Sequence, residues 1–395
     1  MAARPARLLF LNSRSEYGGA DMGLLSIVRH LSPERFSSWV ILPQEGPLVA
    51  DLRQAGASVH FMPLARLERL DSLAEVLRFP WQTIRSTWLL QRFIRRQGID
   101  LVYTNSSAMQ AGALAARLAG VPHVWHVREI WTSPRLITVP LYRFIHAFSD
   151  RVIALSQTAA EENFGRRAGD VQVIRDSIDP HRFQDQPALA ELRQEFGLAP
   201  DTPVVGTVAR LAPQKGLHCF LEAAERLASQ RAGVRFMIVG DIPRPRYQAY
   251  KDQLLDMSRR PALDGRVIFT GWRGDVPALL QLFTVFVLPS SGAEGLGSVI
   301  AEAWWARRPV VAPDHSGPKE TVRHGHTGLH FRSGSAADLA AQVDMLLEDG
   351  ALRERLAAAG HEEALAHYNA VRNVQKIEDV LHDALTHSRK GRKNS

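Results

Sequence analysis

The sequence predicts an α/β protein made of two parallel-sheet domains. Three observations carry this expectation. Short apolar runs of strand length alternate with helical patterns along most of the chain, the arrangement that gives parallel sheets covered on both faces. A loop bearing glycine or cations follows the first strand of each half, SRSEYGGADMG in one and ARLAPQKG in the other. At 395 residues the chain is long enough for two substantial cores.

Taken in order, residues 7–12 read as the first strand, and the helix after the Gly18-Gly19 pair starts near Ala20. Segments 39–43, 59–62, 101–103 and 121–126 are further strands, with the alanine-rich helix 108–119 between the last two. SDRVIALSQTAAEEN is a strand running into a helix. Residues 184–201 form a polar, proline-flanked connection with one short helix, and the domain boundary falls there. PVVGTVARLAPQKGLHCFLEAAERLAS then repeats the strand, loop and helix order of the beginning. Strands at 234–240 and 266–272 and helices at 247–259 and 276–283 lead to residues 284–312, on which the chain turns. After these come the loop DHSGPKE, the hairpin-like HGHTGLHF, and helices at 336–348, 351–367 and 370–386. The tail HSRKGRKNS is basic, lacks apolar residues and reads as disordered.

The stretch TVFVLPSSGAEGLGSVIAEAWWARRPVVA opens with a buried strand, 284–288, stopped by Pro289. Glu294, Gly295 and Gly297 occupy the turn, and Val299, Ile300, Ala303 and Trp304 recur at helical spacing. Backbone N–H groups and the positive end of a helix dipole emerge from such a turn and suit an anion, which glycines allow to come close. Glu302 lies roughly 8–10 Å further along the helix, at about 1.5 Å per residue. That span suits a sugar at one end of a diphosphate and a ribose at the other. The dinucleotide fingerprint G-x-G-x-x-G would need a small residue where Ile300 stands, and no GxxxxGK[ST] loop occurs. The alternative is a plain strand–helix unit with two solvated glutamates.

Composition narrows the class. A hydrophobic fraction of 45% and a charged fraction of 23% are ordinary for a soluble protein. Cys219 is the single cysteine, so no internal disulfide can form and a reducing compartment is expected. The apolar core at 8–11 is too short for a signal peptide, and no run approaches the roughly 20 residues of a membrane span. A net charge of +7 and a pI near 9.8 point to an anionic partner. No nucleic-acid motif accompanies them. Residues 64–97 set Arg66, Arg69, Arg78, Arg85, Arg92, Arg95 and Arg96 among leucines, Phe79, Trp81, Trp88 and Phe93. Two readings stand for this segment: a surface for an anionic membrane, or an amphipathic helix pair with a solvated basic face.

Arg210 and Lys215 lie on the loop after the first strand of the second half, with Gly216 opening a helix. Two cations there can neutralise a diphosphate and stabilise it as a leaving group. His126 ends a strand in HVWHVREI, with Arg128 and Glu129 just beyond. Its strand-end position admits a structural or a functional role. Asp176 and Asp179 are expected to cap a turn. Asp-x-Asp, HExxH and Cys/His ligand spacings are absent, so no metal site is expected, and His324, His326 and His330 read as loop residues. A G-x-S-x-G elbow is absent too.

Together these residues resemble the retaining GT-B glycosyltransferases of the family 4 type (glycosyl transferases group 1), which includes sucrose-phosphate synthases and bacterial mannosyl- and glucosyltransferases. The strongest mark is E-x7-E, here EGLGSVIAE from Glu294 to Glu302. GTVARLAPQKG, YGGADMG, HVREI, RVIALS, SIDPHRF and HTGLHF match further family signatures in the expected order, across nearly the whole chain. The resemblance implies two Rossmann-like domains facing across a cleft: 1–190 for the acceptor and 191–369 for a nucleotide-sugar, with the C-terminal helix 370–395 packing back on the first. It further implies that Glu302 binds the ribose hydroxyls and that Glu294 contacts the donor sugar, with Gly295, Leu296 and Gly297 beside it. Arg210 and Lys215 would hold the diphosphate, which Gly19 lets approach. His126 would sit beside the transferred sugar, and backbone near Trp272 and Arg273 would receive the base. Catalysis would fall to His126, Arg210, Lys215 and Glu294.

The implied reaction is metal-independent transfer with retention from a UDP- or GDP-sugar, without a cofactor. The expected acceptor is a glycan or lipid-linked saccharide in cell-surface polysaccharide or glycolipid synthesis, and the expected location is cytoplasmic, on the inner face of the membrane. Three departures bear on sugar specificity: Asp176-Ser177 replaces Asn-Gly, Leu296 replaces phenylalanine, and the alanine and methionine common after the second glutamate are replaced around Trp304 and Trp305. The alternatives are a nucleotide-sugar epimerase, which would need an acid/base pair such as His126 and Glu129, and a non-catalytic nucleotide-binding protein.

Overall fold

The computed structural model describes residues 4–67, 73–131, 134–184 and 186–387. Arg69 and Leu70 of the basic segment, and the tail beyond His387, lie outside the described residues. The chain divides into two compact units, one formed by residues up to Ser177 and from Ala370 on, the other by Ile178–Asn369.

The first unit runs β1 (Ala6–Leu11), α1 (Gly19–His30), β2 (Phe36–Leu42), α2 (Pro47–Gln54), β3 (Ser58–Phe61), α3 (Leu73–Gln97) and β4 (Leu101–Thr104). It continues through α4 (Ala111–Ala119), β5 (His123–Val127), α5 (Arg135–Phe148), β6 (Arg151–Ala154), α6 (Gln157–Phe164) and β7 (Gln172–Val173). Its strands form one parallel sheet in the order β3-β2-β1-β4-β5-β6-β7. Leu8–Leu11, Leu101–Thr104 and His123–Val127 are buried along their length, as strands with helices on both faces must be. Each buried Leu, Val or Phe there contributes roughly 1.5–3 kcal/mol.

In the second unit α7 (Leu189–Glu195), β8 (Val204–Val208), α8 (Leu217–Gln230), β9 (Arg235–Val239), α9 (Gln248–Ser258), β10 (Val267–Gly271) and α10 (Val276–Leu282) come first. Then follow β11 (Val285–Val287), α11 (Ser298–Trp305), β12 (Val310–Pro313), α12 (Ser316–Thr321), β13 (Leu329–Phe331), α13 (Ala336–Glu348) and α14 (Gly350–His367). The sheet order is β10-β9-β8-β11-β12-β13, again parallel. Its core gathers Phe220, Phe236, Val285, Val287, Phe331 and Leu339. Ser335 and Asp349 cap α13 and α14 by accepting from Asp338 N and Leu352 N, each cap contributing about 1 kcal/mol.

The last helix, α15 (Ala370–Thr386), returns to the first unit. Val374, Ile377, Val380 and Leu381 join the core that holds Leu8, Leu24 and Val28. Glu378, nearly fully buried, accepts from Ser32 N and Arg35 Nη1 at 2.7 Å each, so its charge is paired.

Several sequence expectations change. Of the residues expected in the first domain, 178–190 fall in the second unit, where Ile178 N donates to Tyr368 O and Arg182 reaches into α11. The expected helix pair within 64–97 is a single helix through Pro80. HGHTGLHF is no hairpin: β13 pairs in parallel with β12, and His330 sits in that strand rather than in a loop. Asp179 caps a short 3₁₀ turn by accepting from His181 N, whereas Asp176 is drawn into a buried pair with Arg128.

Candidate active site

In an open parallel sheet, neighbouring strands whose chains leave in opposite directions create a crevice at their carboxyl ends. The second unit has this switch between β8 and β11, and the loops after those two strands carry Arg210, Lys215 and Glu294. Gly216, at φ +65°, lets the first loop turn tightly enough that a Cβ there would lie 2.0 Å from Pro289 O. The backbone N–H groups of Ser291 and Gly292 donate to Gln214 O, locking the loops together. Lys215 Nζ then meets Glu294 Oε1 at 2.5 Å, and Ser290 Oγ donates to the same oxygen at 2.6 Å. Burial pushes the Glu294 carboxyl upward in pKa. The Lys215 ammonium, the Ser290 hydroxyl and the Arg210 charge outweigh it, so the net displacement is below the usual range.

The glycine turn itself is held from α12. Ser316 Oγ and Gly317 N both donate to Glu294 O, and Thr321 Oγ1 donates to Leu296 O. These held carbonyls fix the two peptide planes they belong to, and with them the direction of the Gly295 and Gly297 N–H groups. Leu296 is 2% exposed, so its side chain is core and only its backbone is available. Gly297, at φ +74°, starts α11. On that helix Glu302 Oε1 accepts from Arg182 Nη1 at 2.5 Å, leaving its second oxygen with acceptor capacity. Trp272 follows β10 and is 55% exposed. The Arg273 guanidinium is committed to Asp275 and Glu195, whose hydrogen bonds raise its pKa further.

The first unit carries the remaining two expected residues. Gly19 opens α1 and is exposed. His126, on β5, is buried, with Tyr103 Oη 2.5 Å from its Nδ1. Arg128 pairs with Asp176 and donates from Nε to Asn105 Oδ1 at 2.6 Å. Asn105 Nδ2 donates to Asn12 Oδ1, and Asn12 Nδ2 donates to Asp21 Oδ1, at 2.8 and 2.7 Å. Asn12 and Asn105 follow β1 and β4, the switch point of this sheet. Gly23 makes room for the guanidinium: a Cβ there would lie 2.5 Å from Arg128 Nη1. Glu129 is occupied by Ser106 Oγ and by the backbone and hydroxyl of Ser107.

Sequence reasoning missed Arg182, Ser290 and the Asn12–Asn105 relay. Spacing shows which residues share an element but not which loops meet. Arg182 lay inside the quoted SIDPHRF signature and was the one that could have been found. Among the described residues no group of three or more His, Cys, Asp or Glu side chains is placed to hold a metal ion.

The chain is similar over most of its length to known proteins. The family described as glycosyl transferases group 1 matches residues 190–363, and a glycosyl transferase 4-like domain matches 18–176. The 2-deoxystreptamine glucosyltransferase of Streptomyces kanamyceticus is 30% identical, the match covering 81% of this chain and 95% of the relative. An Escherichia coli enzyme, UDP-Gal:alpha-D-GlcNAc-diphosphoundecaprenol alpha-1,3-galactosyltransferase, is 27% identical over 89% of this chain and 90% of its own. The crystal structure of Anabaena HepE in complex with UDP and glucose superposes with a TM-score of 0.80 at 28% identity, covering 95% of this chain and 99% of that one. Agreement at that identity, along nearly the whole of each chain, shows that this protein is a GT-B glycosyltransferase belonging to the glycosyl transferases group 1.

Proposed function

We propose that this protein transfers a sugar, with retention at the anomeric carbon, from a UDP- or GDP-sugar to a glycan or lipid-linked saccharide in cell-surface polysaccharide or glycolipid synthesis. The observation that carries the reading is the Lys215–Glu294 pair at the β8/β11 switch point, with Arg210 on the same loop. An ammonium has three donors, and the pair with Glu294 uses one. The others, with Arg210, suit a diphosphate leaving group, whose charge such groups stabilise without a metal ion. The UDP and glucose bound by HepE and the lipid-linked acceptor in the name of the E. coli relative support the choice of donor and acceptor.

In this reading Glu302 holds the ribose hydroxyls through its second oxygen. The backbone of Gly295, Leu296 and Gly297 receives the donor sugar, and the backbone at Trp272 and Arg273 receives the base. Close backbone approach for Gly19 and a place beside the sugar for His126 are what the family resemblance implies. Retention by a double displacement would need a carboxylate nucleophile on the sugar. Glu294 is a poor one, because its Oε1 is engaged by Lys215 and Ser290. A front-face reaction, in which the leaving phosphate accepts the proton of the attacking hydroxyl, fits these residues better. An epimerase would need a second acid/base group, and Glu129 is already held by three hydrogen bonds from Ser106 and Ser107. The proposed location is the inner face of the membrane, reached peripherally. Among the described residues no helix is long and apolar enough to cross it.

The test is a thermal-shift panel of UDP, GDP, ADP and NAD without divalent metal, on wild type and Glu302→Ala. A ligand confined to the folded state stabilises by about 2.7 kcal/mol at a hundredfold excess over Kd. One nucleoside diphosphate should raise the Tm of wild type but not of the variant. A response to NAD alone, or an equal response in the variant, overturns the assignment.

A further inference from the structure

The two ring nitrogens of His126 have opposite surroundings. Nδ1 faces the Tyr103 hydroxyl, which can donate or accept, at 2.5 Å, and an Arg128 N–H, which can only donate, with Nη2 at 3.4 Å. A guanidinium has no acceptor, and this one is fixed by Asp176 and by Asn105 Oδ1. The Tyr103 phenol is fully buried, and burial raises its pKa, so it keeps its proton. The opposite tautomer would turn an N–H towards the cationic guanidinium. Nε2, on the far side of the ring, is buried and has no hydrogen-bond partner among the described residues. Burial, then the Arg128 charge, holds the imidazole well below its usual pKa. The charged groups near the ring are Arg128 and Asp176, with Asp21 one relay further through Asn105 and Asn12.

We propose that Tyr103 and Arg128 are positioning residues that hold His126 neutral and protonated at Nε2, so that the ring meets substrate as a hydrogen-bond donor and cannot serve there as a general base. The role towards substrate rests on the glycosyl-transfer reading, whereas the tautomer does not. A histidine at a strand end is commonly assigned by its distance to a reacting atom. Here its neighbours decide what it can do before any ligand arrives.

The experiment is nitrogen-15 NMR of the full-length, ligand-free protein labelled at histidine, with His126 assigned by the signal missing in His126→Gln. The expected spectrum has a pyridine-type Nδ1 and a pyrrole-type Nε2, unchanged from about pH 5.5 to about pH 8.5, across the ordinary histidine range. Tyr103→Phe removes one donor and keeps the ring, and should move both signals towards averaged positions. Should that variant fail to fold, Arg128→Gln with Asp176→Asn removes both charges of the buried pair together and asks the same question. A proton on Nδ1, a cationic ring within that window, or a Tyr103→Phe spectrum identical to wild type overturns the proposal. None of these outcomes depends on whether a nucleotide binds, so failure here and failure of the transferase reading are separable.

Discussion

Lys215 Nζ and Glu294 Oε1 stand 2.5 Å apart, joining two loops that are 79 residues apart in the chain. Their side chains are 17% and 16% exposed, so each charge depends on the other for much of its stabilisation. Lys215→Met leaves the burial of Glu294 opposed only by the Ser290 hydroxyl and the Arg210 charge, and its carboxyl pKa should then rise. Breaking one side of such a pair should cost roughly 1–3 kcal/mol, below the 3–5 typical of full burial. Adding Glu294→Gln should return most of that stability, because the stranded charge is gone. Turnover of the donor found in the thermal-shift panel should fall by about 10²-fold or more in both, since neither restores the cation. Thermal melts and turnover on the two variants check this. A double variant with recovered activity would show that Lys215 serves the fold alone.

Gly317 is a second fixed point of the turn. A Cβ there would lie 2.5 Å from Gly295 O and 2.6 Å from Glu294 O, both backbone atoms that cannot swing aside. Gly317→Ala should therefore push α12 away and break the bond from Gly317 N to Glu294 O. Nucleotide affinity should drop at least tenfold, about 1.4 kcal/mol. The control is Gly169→Ala, where no atom lies within 4 Å and the backbone is ordinary, so stability should stay within about 0.5 kcal/mol. Isothermal titration with the same nucleotide measures both. Unaltered affinity in Gly317→Ala would mean the turn adapts and does not need that contact.

The parallel sheets, the glycine turn and the E-x7-E spacing were legible because they are local: periods of two and 3.6 and a few fixed offsets. Arg182 with Glu302, 120 residues apart, and Arg128 with Asp176, 48 apart, were not. Those pairs follow from strand order, which no local pattern encodes. One reading of the basic segment is a helix pair, yet α3 runs on through Pro80, and its later turns bury Leu90 and Ile94 in the core. The glycines of HGHTGLHF suggested a hairpin turn, whereas the sheet's parallel order took Leu329–Phe331 alongside β12. Trp304 and Trp305 departed from the family pattern for a packing reason at the first position. Trp304 fills the space over Gly360 and donates from Nε1 to Thr327 O.

Asp21 gives the fold a pH dependence of its own. Burial pushes its carboxyl from 3.8 to about 6, against the hydrogen bond from Asn12 and the charges of Arg14 and Arg128. The folded state therefore keeps a proton that the unfolded chain loses near pH 4, and stability falls as pH rises through that window. The full difference is worth roughly 3 kcal/mol above pH 6. Asp21→Asn keeps an oxygen to accept from Asn12 Nδ2 but cannot ionise. Relative to wild type, the variant should gain stability as pH rises from about 4 to about 6 and hold the gain at neutrality. Urea unfolding at a series of pH values reads this directly. A difference between the two proteins that does not vary with pH would mean Asp21 titrates at its ordinary value.

The proposed membrane location needs a docking face, and the outward face of α3 is the one to test. Leu77, Trp81, Ile84 and Trp88 recur at helical spacing and are 54–70% exposed, while Ser86, Leu90 and Ile94 on the other side are buried. Arg78, Arg85 and Arg92 are exposed along the same stripe, and the Arg92 guanidinium lies 4.5 Å from the Trp88 ring centre. Apolar rings bordered by arginines on a helix match an anionic lipid surface, where each arginine adds about 1 kcal/mol. The protein should sediment with vesicles containing phosphatidylglycerol, weakly with phosphatidylcholine alone, and less as salt rises. Arg78→Gln, Arg85→Gln and Arg92→Gln together should weaken binding by about 10²-fold, from three contributions of that size. Trp81→Ser with Trp88→Ser should weaken it at every salt concentration, because burial of the rings does not depend on screening. These positions are solvent-exposed, so the melting temperature should hardly move. Equal sedimentation of wild type and the arginine variant would exclude α3 as the docking face, and the basic stripe would then be a solvated surface only.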